Sequence, residues 1–420
     1  MSYAIISIIE GVFMKRFLLF FTLIISFLYG ANICYAEELD IYSKFAILYN
    51  MDDDIILYEK NSEERTSIAS LTKIMTCIVA IENIDNLDQK IILKSDVFTG
   101  LAEAGASVAG FRVGENVTFR DLLMGALLPS GADATRALAL NISGSESEFV
   151  NLMNNKAIEL GLKDTHFENT TGLESSNHYS TVKDISIILK YALKNQTFKD
   201  MYTTREYTTT SNLTFYSTLK KISNNYSFDV SNILGSKTGY TDEAGLCMSS
   251  IANYNDVNYL LVTAGADYRG NVPRQLLDAI TIYNFYSTNY GYKNIINVGD
   301  FIKTINEEYS TKEKYDITSQ ITISKFLNNS FDENKIKYEY NGLDKISYKN
   351  KIGDKLGRVN IIYDDNIIGT FDVFLTETIN FSLFTFLLQT KLIYLIGTTI
   401  IILLLIICFL KKRKDIKKKS

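Results

Sequence analysis

Arg-Thr-Ser-Ile-Ala-Ser-Leu-Thr-Lys-Ile-Met-Thr, residues 65–76, is the stretch around which the rest of the chain is organised. Ser70 and Lys73 lie three positions apart, and the apolar residues after them predict a buried helix that begins near Ser70. Because residues three apart share one helix face, we expect the lysine amine beside the serine hydroxyl. The backbone N–H groups of a helix N-terminus also favour negative charge there. Such a pair is common on solvated helices too, so its meaning depends on the rest of the chain.

The N-terminus predicts export. Residues 1–36 are interpreted as a signal peptide, in which residues 14–36 are the true signal. This segment has a basic start at Met14-Lys15-Arg16 and an apolar run over 17–30, and cleavage is expected after Ala36. An uncleaved N-terminal anchor is the alternative. A lipid-modified Cys34 is the weaker alternative, because Asn32-Ile33 is not the small-residue context expected before such a cysteine.

The C-terminus predicts a membrane anchor. Residues 392–410 carry no charge over 19 positions, which is long enough to span a bilayer. The tail, residues 411–420, has seven basic residues and one acidic one and is expected in the cytoplasm by the positive-inside rule. We therefore expect a single-pass protein of the cell membrane, with everything between the signal and the span outside the cytoplasm. The lipid bilayer is its predicted partner at this end.

Charge and residue counts argue against two kinds of site. The formal net charge is −5 for the whole chain and +6 for the basic tail, so the rest of the chain carries −11. This acidic balance argues against nucleic-acid binding. The two histidines, His166 and His178, stand in no metal-ligand spacing, and no metal or cofactor is predicted. A Ser-His-Asp triad would need one of them, so lysine is the more economical base. Cys77 and Cys247 lie in apolar runs and are expected to be buried thiols, although a disulfide between them is left open.

Hydrophobic patterning predicts an α+β fold. Residues 45–59 indicate a hairpin, and four helices are expected over residues 119–128, 132–141, 148–160 and 184–193. Short strands follow at 233–240, 246–252 and 259–264, before a closing helix at 274–286. Strands at both ends with helices between them predict one domain, residues 37–290, whose sheet joins distant parts of the chain. Strand-like runs at 317–323, 336–340, 359–363 and 370–375 predict a small all-β domain, residues 291–378.

Two further motifs give the serine–lysine pair its meaning. Ser130-Gly131-Ala132 lies in the turn between two predicted helices, and Lys237-Thr238-Gly239 lies on a predicted strand. With Ser-x-x-Lys, in this order, they resemble the signature of penicillin-binding proteins and class A β-lactamases. The likeness covers roughly residues 40–290 and extends to segments 114–123, 153–167, 171–173 and 237–245. The chain thus resembles the low-molecular-weight penicillin-binding proteins, serine-type D-Ala-D-Ala carboxypeptidases.

The resemblance implies a fold, a reaction and a role for each motif residue. It implies a β-lactamase/transpeptidase-like domain, an antiparallel sheet flanked by helices. It implies removal of the terminal D-alanine from peptidoglycan pentapeptides, and inhibition by β-lactams. Ser70 is then the acyl nucleophile, Lys73 its base and Ser130 the proton relay to the leaving group. The substrate-binding residues it implies are Lys237, Thr238, Gly239, Tyr240 and Arg274. The backbone N–H of Tyr240 would join that of Ser70 in an oxyanion hole. Arg274 would bind a substrate carboxylate or else lie on a helix surface.

One departure from the family pattern raises alternatives. The family usually has asparagine where this chain has Ala132, and alanine cannot bond to substrate or orient Lys73. Asp133 and bound water are expected to compensate in part. The alternative is a wall-associated or regulatory penicillin-binding protein with little turnover. A β-lactamase ranks last, because no Glu-x-x-Leu-Asn segment is recognisable to activate a deacylating water.

Overall fold

The computed structural model describes residues 39–270 and 272–419, so the predicted signal peptide, residues 1–36, lies outside the described residues. The chain divides into two compact units between Phe285 and Tyr286. Each unit is described by itself.

The first unit is built on a five-stranded antiparallel sheet. The predicted hairpin forms, and its strands pair with three strands from the far end of the unit in the order β2-β1-β9-β8-β7. The predicted sheet of distant segments is thus present. Its strands are β1 (Phe45–Asn50), β2 (Ile55–Lys60), β7 (Ile233–Thr241), β8 (Gly245–Tyr254) and β9 (Val257–Ala266).

Helices lie on both faces of this sheet. They are α1 (Thr72–Glu82), α2 (Phe119–Leu127), α3 (Ala132–Ser143), α4 (Glu146–Glu159), α5 (Val182–Ala192), α6 (Gln196–Thr203), α7 (Thr218–Tyr226) and α8 (Arg274–Asn289). Successive strand residues point to opposite faces. On β8, Ser249 bonds to the hydroxyl of Tyr202 in α6 at 2.9 Å, and Ser250 bonds to that of Tyr283 in α8 at 2.8 Å. The sheet is therefore the middle layer of the unit.

Helix α1 is the central element of the first unit. A short 3₁₀ turn, Ala69–Leu71, precedes it, and nine of its eleven residues are buried. A helix that is buried all round must be a core helix. The prediction of a buried helix starting near Ser70 is confirmed, with the difference that the serine lies in the 3₁₀ turn.

Several short elements escaped prediction. Helices α6 and α7 have eight and nine residues, and side chains of Asn195 and Ser217 cap their N-termini. The strands β3 (Lys90–Ile92), β4 (Asn116–Thr118), β5 (Glu206–Thr208) and β6 (Thr214–Tyr216) have three residues each and form two small hairpin-like pairs. Elements this short bury too few residues to leave a periodic pattern.

The described part of the second unit holds eight strands. They are β10 (Tyr290–Ile296), β11 (Phe301–Glu308), β12 (Lys314–Thr318), β13 (Ile323–Asn328), β14 (Lys337–Gly342), β15 (Lys345–Ser347), β16 (Lys355–Tyr363) and β17 (Asn366–Phe374). The predicted strand over 317–323 is wrong: a turn splits this run between β12 and β13, where Ser319 Oγ donates to the Ile321 carbonyl at 2.7 Å. Apolar side chains of β10, β16 and β17 supply much of this unit's own core.

Two helices end the chain, α9 (Leu383–Gln389) and α10 (Leu392–Lys419). Within α10, the stretch Leu392–Arg413 contains an 18-residue segment with a mean hydropathy of 2.9, and the protein buries none of that segment. By length and composition this helix could cross a membrane. It contains the predicted span, residues 392–410.

Candidate active site

The Ser70 hydroxyl lies against the Lys73 amine, at the turn that leads into α1. Lys73 Nζ donates to Ser70 Oγ at 2.8 Å. The turn is tightly constrained: Ala69 has a φ of +44°, and β7 passes beside it at Gly239. A Cβ at residue 239 would lie 2.8 Å from the Ser70 nitrogen. Glycine is therefore required for the strand to come this close to the serine.

Lys73 is buried and only partly charged at neutral pH. Its side chain is 2% exposed, and its amine also donates to the Thr171 carbonyl at 2.5 Å. Burial lowers the pKa of Lys73 to about 7, against the opposing influence of Cys77 and Asp133. A large neutral fraction at pH 7 allows this amine to accept a proton from the adjacent hydroxyl.

A second serine–lysine pair lies across the same site. Ser130, in the break between α2 and α3, has a φ of +67° and accepts a hydrogen bond from Lys237 Nζ at 2.7 Å. Lys237 is fully buried on β7. Burial, and then the charge of Lys73, lowers its pKa well below the ordinary value. Protonation of Lys73 thus disfavours protonation of Lys237.

The rest of the Lys-Thr-Gly segment runs along β7 beside Ser70. The Thr238 hydroxyl donates to Thr218 Oγ1 of α7 at 2.9 Å. The side chain of Tyr240 is exposed, its ring lies 4.8 Å from that of Tyr268, and its hydroxyl donates to Asp242 at 2.7 Å. The backbone of β7 is therefore supported on both sides of Gly239.

The Ser70–Lys73 pair borders an open cleft of about 390 Å³. Ser70, Lys73, Ala132 and Tyr240 line it together with residues 104–107, 171–174 and 241–242. Sequence reasoning assigned no role to residues 104–107 or to Glu174. Residues 171–173 were noted only as part of the family likeness, and their contact with Lys73 is visible only in the structure.

The structure overturns the expected compensation by Asp133 for the missing asparagine. The Asp133 carboxylate is buried and accepts hydrogen bonds from four backbone N–H groups, at Ala109 (2.7 Å), Gly110 (3.1 Å), Phe111 (3.2 Å) and Ala134 (2.9 Å). It thus ties the start of α3 to the neighbouring loop. A carboxylate with this many partners is not free to orient Lys73 or substrate.

Arg274 is not brought to the cleft with the other motif residues. Its guanidinium lies over the Tyr42 ring at 4.7 Å, and Nη1 is 3.5 Å from Asp267. Arg269 lines a separate depression whose lining shares Tyr240 and Asp242 with the cleft. The structure therefore favours the helix-surface interpretation of Arg274.

Both histidines have structural partners. His178 Nδ1 accepts from the Glu168 N–H at 3.2 Å, which leaves Nε2 to donate to Thr72 Oγ1 at 2.8 Å. Burial lowers the pKa of His178 to about 4, so it is neutral at physiological pH. His166 bonds to the Asn177 carbonyl. Neither ring takes the place of Lys73 beside Ser70.

Cys77 and Cys247, the two cysteines in the described part of the first unit, do not form a disulfide or a metal site. Cys77 and Cys247 are buried and free, so the disulfide that the sequence left open is not formed. Burial raises the pKa of both thiols to about 12. Across residues 39–270 and 272–419, no three His, Cys, Asp or Glu side chains converge in a group that could hold a metal ion.

Known proteins match this sequence and this fold. Residues 32–268 match the peptidase S11 family, D-alanyl-D-alanine carboxypeptidase. The chain is 32% identical over 333 residues to D-alanyl-D-alanine carboxypeptidase DacF of Bacillus subtilis (strain 168), covering 79% of this chain and 84% of the relative. The crystal structure of the Streptomyces K15 DD-transpeptidase is 30% identical, with a TM-score of 0.53, over 59% of this chain and 98% of its own.

A more distant structure extends the likeness in fold along the chain. The D-alanyl-D-alanine carboxypeptidase DacD from Francisella tularensis, 22% identical, covers 82% of this chain and 95% of its own with a TM-score of 0.60. At that identity it supports the fold alone. The family match includes more than half of the chain and all three motifs. The chain therefore belongs to the peptidase S11 family of D-alanyl-D-alanine carboxypeptidases.

Proposed function

We propose that Ser70 is the nucleophile of this enzyme, a serine-type D-Ala-D-Ala carboxypeptidase of cell-wall metabolism. The observation that carries the proposal is two short contacts, Lys73 to Ser70 at 2.8 Å and Lys237 to Ser130 at 2.7 Å, close enough for the charge of Lys73 to act on Lys237. A nucleophile with a base in hydrogen-bond reach, facing a second hydroxyl and amine, is what acyl transfer requires.

In acylation, neutral Lys73 takes the Ser70 proton as Oγ attacks the carbonyl between the two terminal D-alanines. The N–H groups of Ser70 and Tyr240 stabilise the oxyanion. As the peptide C–N bond breaks, Ser130 gives its proton to the departing amine, and the proton that Lys73 took from Ser70 restores Ser130, so that Lys73 is neutral again. Water then hydrolyses the ester, with Lys73 as the base. The stem peptide leaves one D-alanine shorter.

The substrate carboxylate is assigned to the middle of β7, at Lys237 and Thr238. Lys237 supplies a cation there, because the anion favours its protonated form. Thr238 supplies a hydroxyl, whose proton turns from Thr218 to the carboxylate when substrate binds. Gly239 lets the substrate backbone approach the strand. β-Lactams, which resemble D-Ala-D-Ala, would acylate the same serine. The low-turnover alternative, based on Ala132 alone, is not favoured, because Lys73 is held without that side chain.

The domain and membrane assignments support this function. Residues 37–290 form the peptidase domain and 291–378 a small all-β domain. Residues 392–410 span the membrane, and the basic tail, 411–420, lies in the cytoplasm. The supporting features are the apolar helix α10 and the basic residues after it. In this proposed topology the cleft lies outside the cytoplasm, on the same side as the peptidoglycan substrate.

Ser70→Ala tests the proposal. The full chain, purified in detergent, should release D-alanine from a pentapeptide and should be labelled by a fluorescent penicillin. Ser70→Ala should lose both activities and keep its thermal unfolding temperature. A Ser70→Ala protein that releases D-alanine as fast as the parent would show that another residue is the nucleophile.

A further inference from the structure

Two oxygens hold the amine of Lys73. One is the hydroxyl oxygen of Ser70, which becomes an ester oxygen on acylation. The other is the carbonyl oxygen of Thr171, at 2.5 Å. The side chain of Ala132 also borders the cleft but offers no acceptor. The Thr171 carbonyl is therefore the partner that remains with Lys73 when the serine becomes an ester.

The side chain of Asn169 fixes the direction of that carbonyl. Its Oδ1 accepts from the N–H groups of Thr171 (3.1 Å), Gly172 (2.7 Å) and Leu173 (3.2 Å), and from the Thr171 hydroxyl (2.9 Å). Its Nδ2 donates to the Leu173 carbonyl at 3.0 Å. An asparagine that bonds forward to the backbone in this way defines a tight turn. The turn, residues 169–173, has one side chain at its centre.

The turn is also fixed from outside. On one side, Thr170 bonds to Glu146 Oε1 of α4 at 2.7 Å, and its carbonyl accepts from Thr76 of α1 at 2.8 Å. On the other, Gly172 has a φ of +78°, and a Cβ there would lie 1.9 Å from the Ala69 carbonyl oxygen. The turn is thus held between α4, α1 and the turn that carries Ser70.

We propose that Asn169 is a positioning residue for acylation, which shapes the 169–173 turn so that the Thr171 carbonyl holds Lys73 in place of a polar side chain at residue 132. This inference rests on Ser70 and Lys73 acting as proposed above. Asn169 acts through the turn and does not itself touch the reacting atoms. The turn explains how the base stays in place in a chain with Ala132.

A lost carbonyl contact would have a particular pH signature. The titratable groups facing Lys73 are the neutral thiol of Cys77 from α1, Asp133 from α3, Lys237 from β7 and the neutral ring of His178, and these would stay in place. A carbonyl stabilises an ammonium more than an amine. Its removal would lower the pKa of Lys73, so the acid limb of the rate profile would move to lower pH. The acylation rate at the high-pH plateau would fall as well, because the Lys73 amine would be less well aligned with the Ser70 hydroxyl.

The experiment measures the second-order acylation constant with a fluorescent penicillin from pH 5 to pH 9, on the full chain in detergent. For Asn169→Ala we expect a plateau about 10- to 100-fold lower, as small misplacements of a reacting group cause, and an acid limb at lower pH. Asn169→Asp keeps the acceptor and adds a charge. It should retain most of the plateau and move the acid limb to higher pH.

Asn154→Ala is the matched control. Asn154 makes two hydrogen bonds, both of 2.9 Å, to the backbone of Phe167 just before the turn. Its loss should lower the thermal unfolding temperature without moving the acid limb. A shift of the limb is thus specific to the contact with Lys73.

Three results would overturn the proposal. The first is an Asn169→Ala protein with a plateau within twofold of the parent and an unmoved limb. The second, which decides the matter if Asn169→Ala does not fold, is an Asn169→Asp protein with an unmoved limb. The third uses Ala132→Asn, whose side-chain amide could hold Lys73 in place of the Thr171 carbonyl. If Asn169→Ala lowers the acylation constant by the same factor in the parent and in the Ala132→Asn protein, residues 132 and 169 do not share the role of holding Lys73. Labelling of Ser70→Ala would instead contradict the proposed function.

Discussion

Lowering the pH from 8 to 6 should slow acylation of Ser70 about tenfold. The cause is the buried amine of Lys73, whose pKa is lowered to about 7 by desolvation. With that pKa, about nine-tenths of the amine is neutral at pH 8 and about one-tenth at pH 6. Only the neutral amine can take the serine proton. Below pH 6 the rate should fall tenfold for each further pH unit.

The assay is the acylation constant with a fluorescent penicillin, measured at constant ionic strength from pH 5 to pH 9. Thermal unfolding at each pH confirms that the protein is folded. Lys73→Arg is the control, because a guanidinium stays protonated throughout this range. Its acylation should be at least about 100-fold slower at every pH, with no acid limb near neutrality.

An acid limb centred near pH 10 would refute this reasoning. A lysine with its ordinary pKa of 10.5 would be neutral in only about 0.03% of molecules at pH 7, and the rate would keep rising through pH 9. A rate independent of pH from 5 to 9 would also refute it, because Lys73 would then not be the base.

Three further outcomes are expected. Gly239→Ala should slow acylation about 100-fold or more, since its Cβ would lie 2.8 Å from the Ser70 nitrogen; an unchanged acylation constant would contradict the close approach of β7. Asp133→Ala should lower the free energy of unfolding by about 3 kcal/mol or more in urea titrations, because buried N–H groups lose a charged acceptor, whereas Asp133→Asn should cost less. Lys73→Met should abolish acylation yet raise the thermal unfolding temperature more at pH 6 than at pH 9. The unfolded lysine binds a proton up to about pH 10.5 and the folded one only up to about pH 7, so the cost of burying Lys73 is greatest at low pH.

Much of the fold was predictable because its core elements are long and strongly patterned. Helix α1 has nine buried residues in eleven, and β1, β8 and β9 of the central sheet are buried over most of their six to ten residues. Helices α6 and α7 are shorter and mostly polar. Their stability comes from their caps and their packing against the rest of the unit, which a local pattern does not record.

The identity of the motif residues at the site could be predicted from the sequence, but not all of their contacts. Ser70 and Lys73 share one helical turn, so their contact follows from local geometry. The contact between Ser130 and Lys237 joins residues 107 positions apart, and only the family resemblance linked them beforehand.

The remaining contacts at the site depend on tertiary structure. No pattern in the sequence indicates that the carbonyl of Thr171 reaches Lys73, since every residue has a carbonyl. Likewise Asp133 was expected to replace a missing amide, but its four backbone partners belong to a loop more than twenty residues away and to its own helix. Arg274 follows the strand at a plausible spacing, and only the fold shows that it packs on Tyr42 instead.

The central claim is that Ser70 carries the acyl group, and peptide mapping tests it most directly. After labelling with penicillin and cleavage with trypsin, the adduct should lie on the peptide of residues 66–73, Thr-Ser-Ile-Ala-Ser-Leu-Thr-Lys. Fragmentation of that peptide by mass spectrometry should assign it to Ser70. An adduct on Ser67, on Ser130 or on any other residue would contradict the account.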